Sequence, residues 1–208
     1  MGKIFCLMGK SSSGKDTIFK ELKEDDDLKL KPVITYTTRP KRFSETNGVE
    51  YYFINEDILE DYKTKGKVIE QRVYNTINGK WYYATLDDGQ IDLSMDNYIL
   101  IVTLESYKNL KCYFGEKSVF PLYVTLDDGI RLERALKRER EQKNPNYDEL
   151  CRRFLADNVD FSIEKLRACG VNEHYRNDDL KKCIGKIKYD ILNLKLHTNK
   201  LLWNVKLW

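Results

Sequence analysis

With 208 residues the chain can build one sizeable core and a smaller appended lobe, but not two full independent domains. Its 36 Lys and Arg face 33 Asp and Glu, for a formal net charge of +3 with both signs interspersed. That balance argues against a nucleic-acid binder and leaves small anionic ligands open. Five cysteines (Cys6, Cys112, Cys151, Cys169 and Cys183) form no CxxC pair or dense framework, so they read as reduced thiols of a soluble, cytoplasmic protein. The apolar run Ile4 to Met8 is too short for a signal-peptide core or a membrane span, so no membrane partner is expected. His174 and His197 stand alone, without ligand-spaced partners for a metal.

The first element is the apolar run "KIFCLM", Lys3 to Met8, rich in strand formers. It feeds into "GKSSSGKDT", comprising Gly9, Lys10, Ser11, Ser12, Ser13, Gly14, Lys15, Asp16 and Thr17. Ile18, Phe19 and Leu22 then recur at helical spacing until the acidic stop at Asp25 to Asp27. Strand, glycine-bounded loop and helix make a phosphate cradle: backbone N–H groups turn toward phosphate oxygens, the helix start adds positive potential, and Lys15 reaches the terminal phosphates. These nine residues are the expected nucleotide-phosphate site. Asp16 stands where such loops usually carry a hydroxyl, with Thr17 next. Two readings stay open: Asp16, or Thr17 through water, serves Mg²⁺, or Asp16 is only an acid favoured in a helical first turn.

Next comes "TYTTRPKRFSETNGVEYYF", Thr35 to Phe53, where Arg39 and Arg42 follow a β-prone segment and Pro40 keeps the chain from a helical interior. Two guanidinium groups there suit a second phosphate. The stretch resembles the guanylate kinase family, whose pattern T-T-R-x-x-R-x-x-E-x-x-G-x-x-Y-x-F is matched by Thr37, Thr38, Arg39, Arg42, Glu45, Gly48, Tyr51 and Phe53. The resemblance runs from about Lys3 to Leu192. It places a guanine-reading glutamate at Glu70 in "GKVIEQRVYN", a phosphate-contacting tyrosine at Tyr83 and a base-contacting hydroxyl at Thr85 in "WYYAT". It also puts a phosphate-contacting hydroxyl at Thr35, and matches "RNDDL", Arg176 to Leu180, to a late segment near the adenine end.

The resemblance implies transfer of the γ-phosphoryl group of ATP to GMP or dGMP with Mg²⁺. It implies an α/β fold: a three-layer P-loop NTPase core with a parallel sheet (about 1–34 and 97–192), an inserted mixed α/β acceptor lobe (about 35–96) and a helical lid (about 131–153). "NYILIVTL", Asn97 to Leu104, and "FPLYVTL", Phe120 to Leu126, suit buried strands of such a core. Arg131, Arg134 and Arg138 share one helical face. By resemblance Arg134 and Arg138 are lid arginines and Arg153 a third, so Lys15, Arg39, Arg134, Arg138 and Arg153 form the expected catalytic set. Arg140 and Arg152 read as solvated charges, and "EQKNPNY", Glu141 to Tyr147, as the moving tip. The expected acceptor contacts are Thr35, Arg39, Arg42, Tyr51, Glu70, Tyr83 and Thr85.

Several positions depart from the family pattern. Ile101 and Thr103 stand where the family usually carries aspartates, Ser12 replaces a loop glycine, Lys10 a proline and Ala84 a glycine. The tail Asn193 to Trp208 lies outside the resemblance, with Leu201, Leu202, Val205 and Trp208 at helical spacing. A kinase with another acceptor, such as a ribose bisphosphate, and a non-catalytic binding module are the alternatives. Retained Lys15 and the lid arginines argue against the module. A monomer or weak homo-oligomer is expected.

Overall fold

In chain order the first half of the molecule runs β1 (Ile4–Met8), α1 (Lys15–Glu24), β2 (Leu30–Pro32), β3 (Tyr36–Thr37), β4 (Tyr52–Phe53), α2 (Glu56–Thr64), β5 (Val68–Thr76) and β6 (Gly79–Leu86). The second half runs β7 (Asn97–Ile101), α3 (Leu104–Phe114), β8 (Val119–Thr125), α4 (Asp128–Arg140), α5 (Tyr147–Asp160), α6 (Ile163–Ala168), β9 (Tyr175–Arg176) and α7 (Leu180–Trp203). This computed structural model describes residues 1–42, 45–76 and 79–203, the side chains of 76 and 195–203 excepted.

Every residue of β1 is buried, and the strand's period of two explains why both of its faces are apolar. Ile4, Cys6 and Met8 join Leu104, Tyr107 and Leu110 of α3 on one side, while Phe5 and Leu7 join Ile18 and Leu22 of α1 and Cys183, Ile187 and Ile191 of α7 on the other. β1 lies in the middle of a five-stranded sheet ordered β2-β7-β1-β8-β9, every pair parallel. Helices on both faces of a parallel sheet are the expected three layers.

The run Asn97 to Leu104 leaves the sheet earlier than its hydropathy suggests. Thr103 caps α3 instead, its hydroxyl accepting from Ser106 N–H at 3.2 Å. Helix α7 continues past Leu192 to Trp203, while Leu201, Leu202, Val205 and Trp208 lie outside the described side chains. Among the described residues no helix is long and apolar enough to cross a membrane.

A second, mixed sheet is ordered β4-β3-β6-β5, with β3 parallel to β4 and antiparallel to β6. One face is closed by α2, where Leu59 and Tyr62 pack with Tyr36, Ala84, Leu86 and Val68. Strict alternation from Val68 would point Glu70 at that same helix. A register shift between Val68 and Glu70 prevents it: Val68 pairs with Leu86, but Glu70 pairs with Thr85 and Arg72 with Tyr83. The bulge thus turns Glu70, Arg72, Tyr83 and Thr85 to the face away from α2, toward α3 of the core.

Candidate active site

The loop after β1 is held by close backbone approach. A Cβ on Gly9 would stand 2.6 Å from the Val124 carbonyl oxygen and 2.8 Å from Ser13 Oγ, so the loop lies directly on β8. Gly14, at φ +90°, is the N-cap of α1 without a side-chain cap, and a Cβ there would meet Asn177 Nδ2 at 2.3 Å. That buried amide donates to the Ser13 carbonyl at 2.8 Å. Asn177, in the segment assigned to the adenine end, therefore braces the loop. Ser12 holds a left-handed φ of +62°, a conformation that costs a residue with a Cβ more than a glycine. The first N–H groups of α1, at Lys15, Asp16 and Thr17, have no carbonyl one turn earlier within the helix, and they open at the loop mouth.

Arg131 does not share the setting of the other two arginines on its helical face. It is 1% exposed and runs beneath the loop: Nε donates to the Ser11 carbonyl at 2.9 Å, Nη2 to Asp157 at 3.1 Å and Nη1 to Asp128. Asp157 also accepts from Ser11 N–H at 2.7 Å, so one ion pair holds both backbone groups of Ser11. Lys10 adds a bond from its ammonium to Asn158 at 2.6 Å. Arg131 is a brace between loop, α4 and α5.

The three arginines expected in the lid, Arg134, Arg138 and Arg153, are exposed and gather at the loop. Arg138 Nη2 reaches Ser12 Oγ at 3.3 Å and Arg153 Nη2 reaches Ser11 Oγ at 3.4 Å. Arg134 Nη1 lies 3.8 Å from where a Cβ on Gly14 would sit. Arg152 instead pairs with Glu149 on the surface, the solvated role its sequence context indicates.

On the second sheet, Arg39 is 4% exposed and forms a bidentate pair with Glu45, at 2.7 and 2.5 Å. Its Nε donates to Tyr83 Oη at 3.2 Å and Nη1 also reaches the Pro40 carbonyl. Among the described residues four of the five guanidinium hydrogens are thereby engaged, which leaves one on Nη2. The hydrogen bonds from Arg39 hold the Glu45 carboxyl down at about 2. Glu45 also accepts from Arg42 N–H at 2.8 Å, while the Arg42 side chain stays exposed. Tyr51 lies edge-on to Tyr83 at 5.6 Å and beneath the Arg39 guanidinium at 5.2 Å, and burial raises its hydroxyl pKa. Thr35 is half-buried beside them, its carbonyl accepting from Tyr52 N–H.

Deeper on the same face the Glu70 carboxylate is fully buried, yet each of its oxygens has a fixed donor. Thr85 Oγ1 donates to Oε1 at 2.9 Å and Ser106 Oγ to Oε2 at 2.8 Å. Arg72 Nε stands 3.3 Å from Oε2, close enough for an ion pair but off the hydrogen-bond direction. Ser106 comes from α3 of the core, so this part of the face is built from both sheets' layers. Thr103, at a position where an acid is usual in the family, caps that helix and touches Ser106 Oγ at 3.1 Å. The sequence reading missed Ser106, Arg72, Asp157 and the bracing roles of Arg131 and Asn177. Only the cap spacing Thr103-x-x-Ser106 offered a local signal.

A family model described as guanylate kinase matches residues 1–153. The guanylate kinase of Mycoplasmoides gallisepticum is 32% identical over 196 residues, covering 92% of this chain and 92% of that one. That of Malacoplasma penetrans is 26% identical over 192 residues, with 90% and 91% covered. The crystal structure of guanylate kinase from Anaplasma phagocytophilum has a similar fold, with a TM-score of 0.63 over 93% of this chain and 86% of that chain at 16% identity.

Proposed function

The chain belongs to the guanylate kinase family, and from that premise we propose that it transfers the γ-phosphoryl group of ATP to GMP or dGMP, giving ADP and GDP or dGDP. The observation that carries the acceptor is Glu70: a buried carboxylate aimed by two hydroxyls, on the same face as Tyr51, Tyr83 and Arg39. A carboxylate accepts from guanine N1–H and the exocyclic amine, whereas adenine offers an acceptor at N1. In this reading, residues 35–96 form the acceptor lobe and 131–153 the lid.

Phosphoryl transfer needs alignment and charge neutralisation rather than a covalent catalyst. An anionic oxygen of the GMP phosphate attacks the γ-phosphorus, the bond to the β,γ-bridging oxygen breaks, and ADP leaves with that electron pair. The loop from Gly9 to Thr17 cradles the donor phosphates with backbone N–H groups, and Lys15 supplies a cation at the transferred group. Arg134, Arg138 and Arg153 close over the developing charge and exclude water. At the acceptor end Arg42, Tyr51, Tyr83 and Thr35 grip the phosphate, while Arg39 orients Tyr83 and offers its remaining Nη2 hydrogen.

Asp16 and Thr17 are exposed in the first turn of α1 and present hard oxygens beside the loop mouth. Mg²⁺ keeps most of its water and takes few protein ligands, so this pair fits a nucleotide-borne ion. They would hold it directly or through water, and the ion neutralises phosphate charge when bound. The five unpaired thiols support a cytoplasmic place of action.

The test is a coupled assay of ADP release across a panel of monophosphates. GMP or dGMP is expected to give the highest kcat/KM; a higher value for AMP, UMP or a sugar phosphate would reject the acceptor.

A further inference from the structure

Arg72 sits two residues beyond Glu70 on the same face of β5, opposite Tyr83 as Glu70 is opposite Thr85. Its side chain is 15% exposed. Its guanidinium lies 5.9 Å from the Tyr83 ring, which fixes its place. Yet Nε is buried and has no hydrogen-bond partner among the described residues, because its contact with Glu70 is not aligned for one. A buried guanidinium N–H without an acceptor is costly unless a partner arrives. The position also says where the partner is. Tyr83 Oη is already engaged by Arg39, toward the phosphate end, whereas Arg72 Nε stands 3.3 Å from the Glu70 carboxylate, at the base end.

A ligand filling this place meets an acceptor at Glu70 and a donor at Arg72, side by side. The complement is a lactam edge, a carbonyl oxygen next to an N–H. Guanine presents that pair at O6 and N1–H. Adenine presents the reverse, an amine facing Arg72 and a lone pair facing Glu70, so both contacts fail together. Resting on the acceptor reading above, we propose that Arg72 is a specificity-determining residue that donates to guanine O6, so that Glu70 and Arg72 read the lactam as a unit. This second contact supplies base discrimination on a site where Ile101 and Thr103 bring no carboxylate.

The test compares GMP with 6-thio-GMP, which keeps N1–H and the amine but replaces O6 by a weak acceptor. Each is assayed with the wild type, Arg72→Met and Arg72→Lys, alongside AMP and UMP and with melting temperatures recorded. The wild type is expected to favour GMP over 6-thio-GMP by roughly 10-fold or more in kcat/KM. Arg72→Met should lower the GMP value by roughly 10- to 100-fold and the 6-thio-GMP value by less than about 3-fold, with Arg72→Lys in between. A fall by the same factor for both nucleotides would mean that Arg72 only supports Glu70, and would overturn the proposal. Equal use of the two nucleotides by the wild type would overturn it too, whether or not either variant folds. A wild type that prefers AMP or UMP to GMP removes the acceptor assignment itself, an outcome distinct from a guanine-specific enzyme indifferent to Arg72.

Discussion

The loop end and the acceptor lobe are organised in opposite ways. At the loop, residues outside the proposed phosphate cradle do the holding: Arg131, Asp157 and Asn177 bind loop backbone groups, which leaves Lys15 and the arginines at positions 134, 138 and 153 for the proposed transfer. On the acceptor lobe the proposed binding groups hold one another, Arg39 with Tyr83 and Glu70 with Thr85, with Glu45 and, from α3 of the core, Ser106 as further partners. A scaffold-held site separates stability from activity residue by residue; a self-held site couples them. Substitutions at the two ends should therefore fail differently.

The largest expected effect is at Lys15. Lys15→Met should cut kcat/KM by about 10³-fold, since it removes the cation proposed to serve the transferred group, with the melting temperature nearly unchanged. A large loss of stability there would break the comparison. Arg131→Met should do the converse, destabilising the fold by about 3 kcal/mol because Asp157 and the Ser11 carbonyl lose a buried partner. Denaturant unfolding measures it, and activity per folded molecule should fall far less than in Lys15→Met.

On the acceptor lobe, Glu70→Gln should cost about 1–3 kcal/mol in transition-state stabilisation for GMP and also lower the melting temperature, because the amide cannot accept from Thr85 and Ser106 equally well. An unchanged ranking of acceptors would show that this side chain does not read the base. The Arg39 and Glu45 pair adds a pH signature. The folded-state pKa of Glu45 is depressed, so the pair's stabilisation is fully present above the ordinary glutamate range and lost as pH falls toward about 2. The melting-temperature gap between wild type and Glu45→Gln should be constant near neutrality, narrow once the pH drops below about 4.5, and close near 2. A gap independent of pH over that range would contradict the pairing. The smallest effect belongs to Ser12→Gly, which relieves a left-handed φ and should change stability by less than about 1 kcal/mol.

What the sequence disclosed follows the range of the interactions. The loop and the segment from Thr35 to Phe53 are local patterns, and the alternation of β1 is enough to require a layer on each side. Glu70 was locatable, but its direction depends on a register shift that no single strand displays. The braces were hidden for a similar reason: Ser106 meets Glu70 across 36 residues, Arg131 meets Ser11 across 120 and Asn177 meets Ser13 across 164. Helical periodicity grouped Arg131 with Arg134 and Arg138 correctly by direction. It could not give depth: Arg131 is the buried residue of α4, drawn under the loop by Ser11 and Asp157, whereas Arg134 and Arg138 are exposed.

The central claim is that this site moves the γ-phosphoryl group to a guanine nucleotide. It is tested most directly by competition, with γ-labelled ATP, Mg²⁺ and equal concentrations of GMP, AMP, CMP and UMP in one reaction, because product ratios then report ratios of kcat/KM. The account predicts label almost entirely in GDP. Label in ADP, CDP or UDP at comparable or greater yield, or label released only as inorganic phosphate, would contradict it.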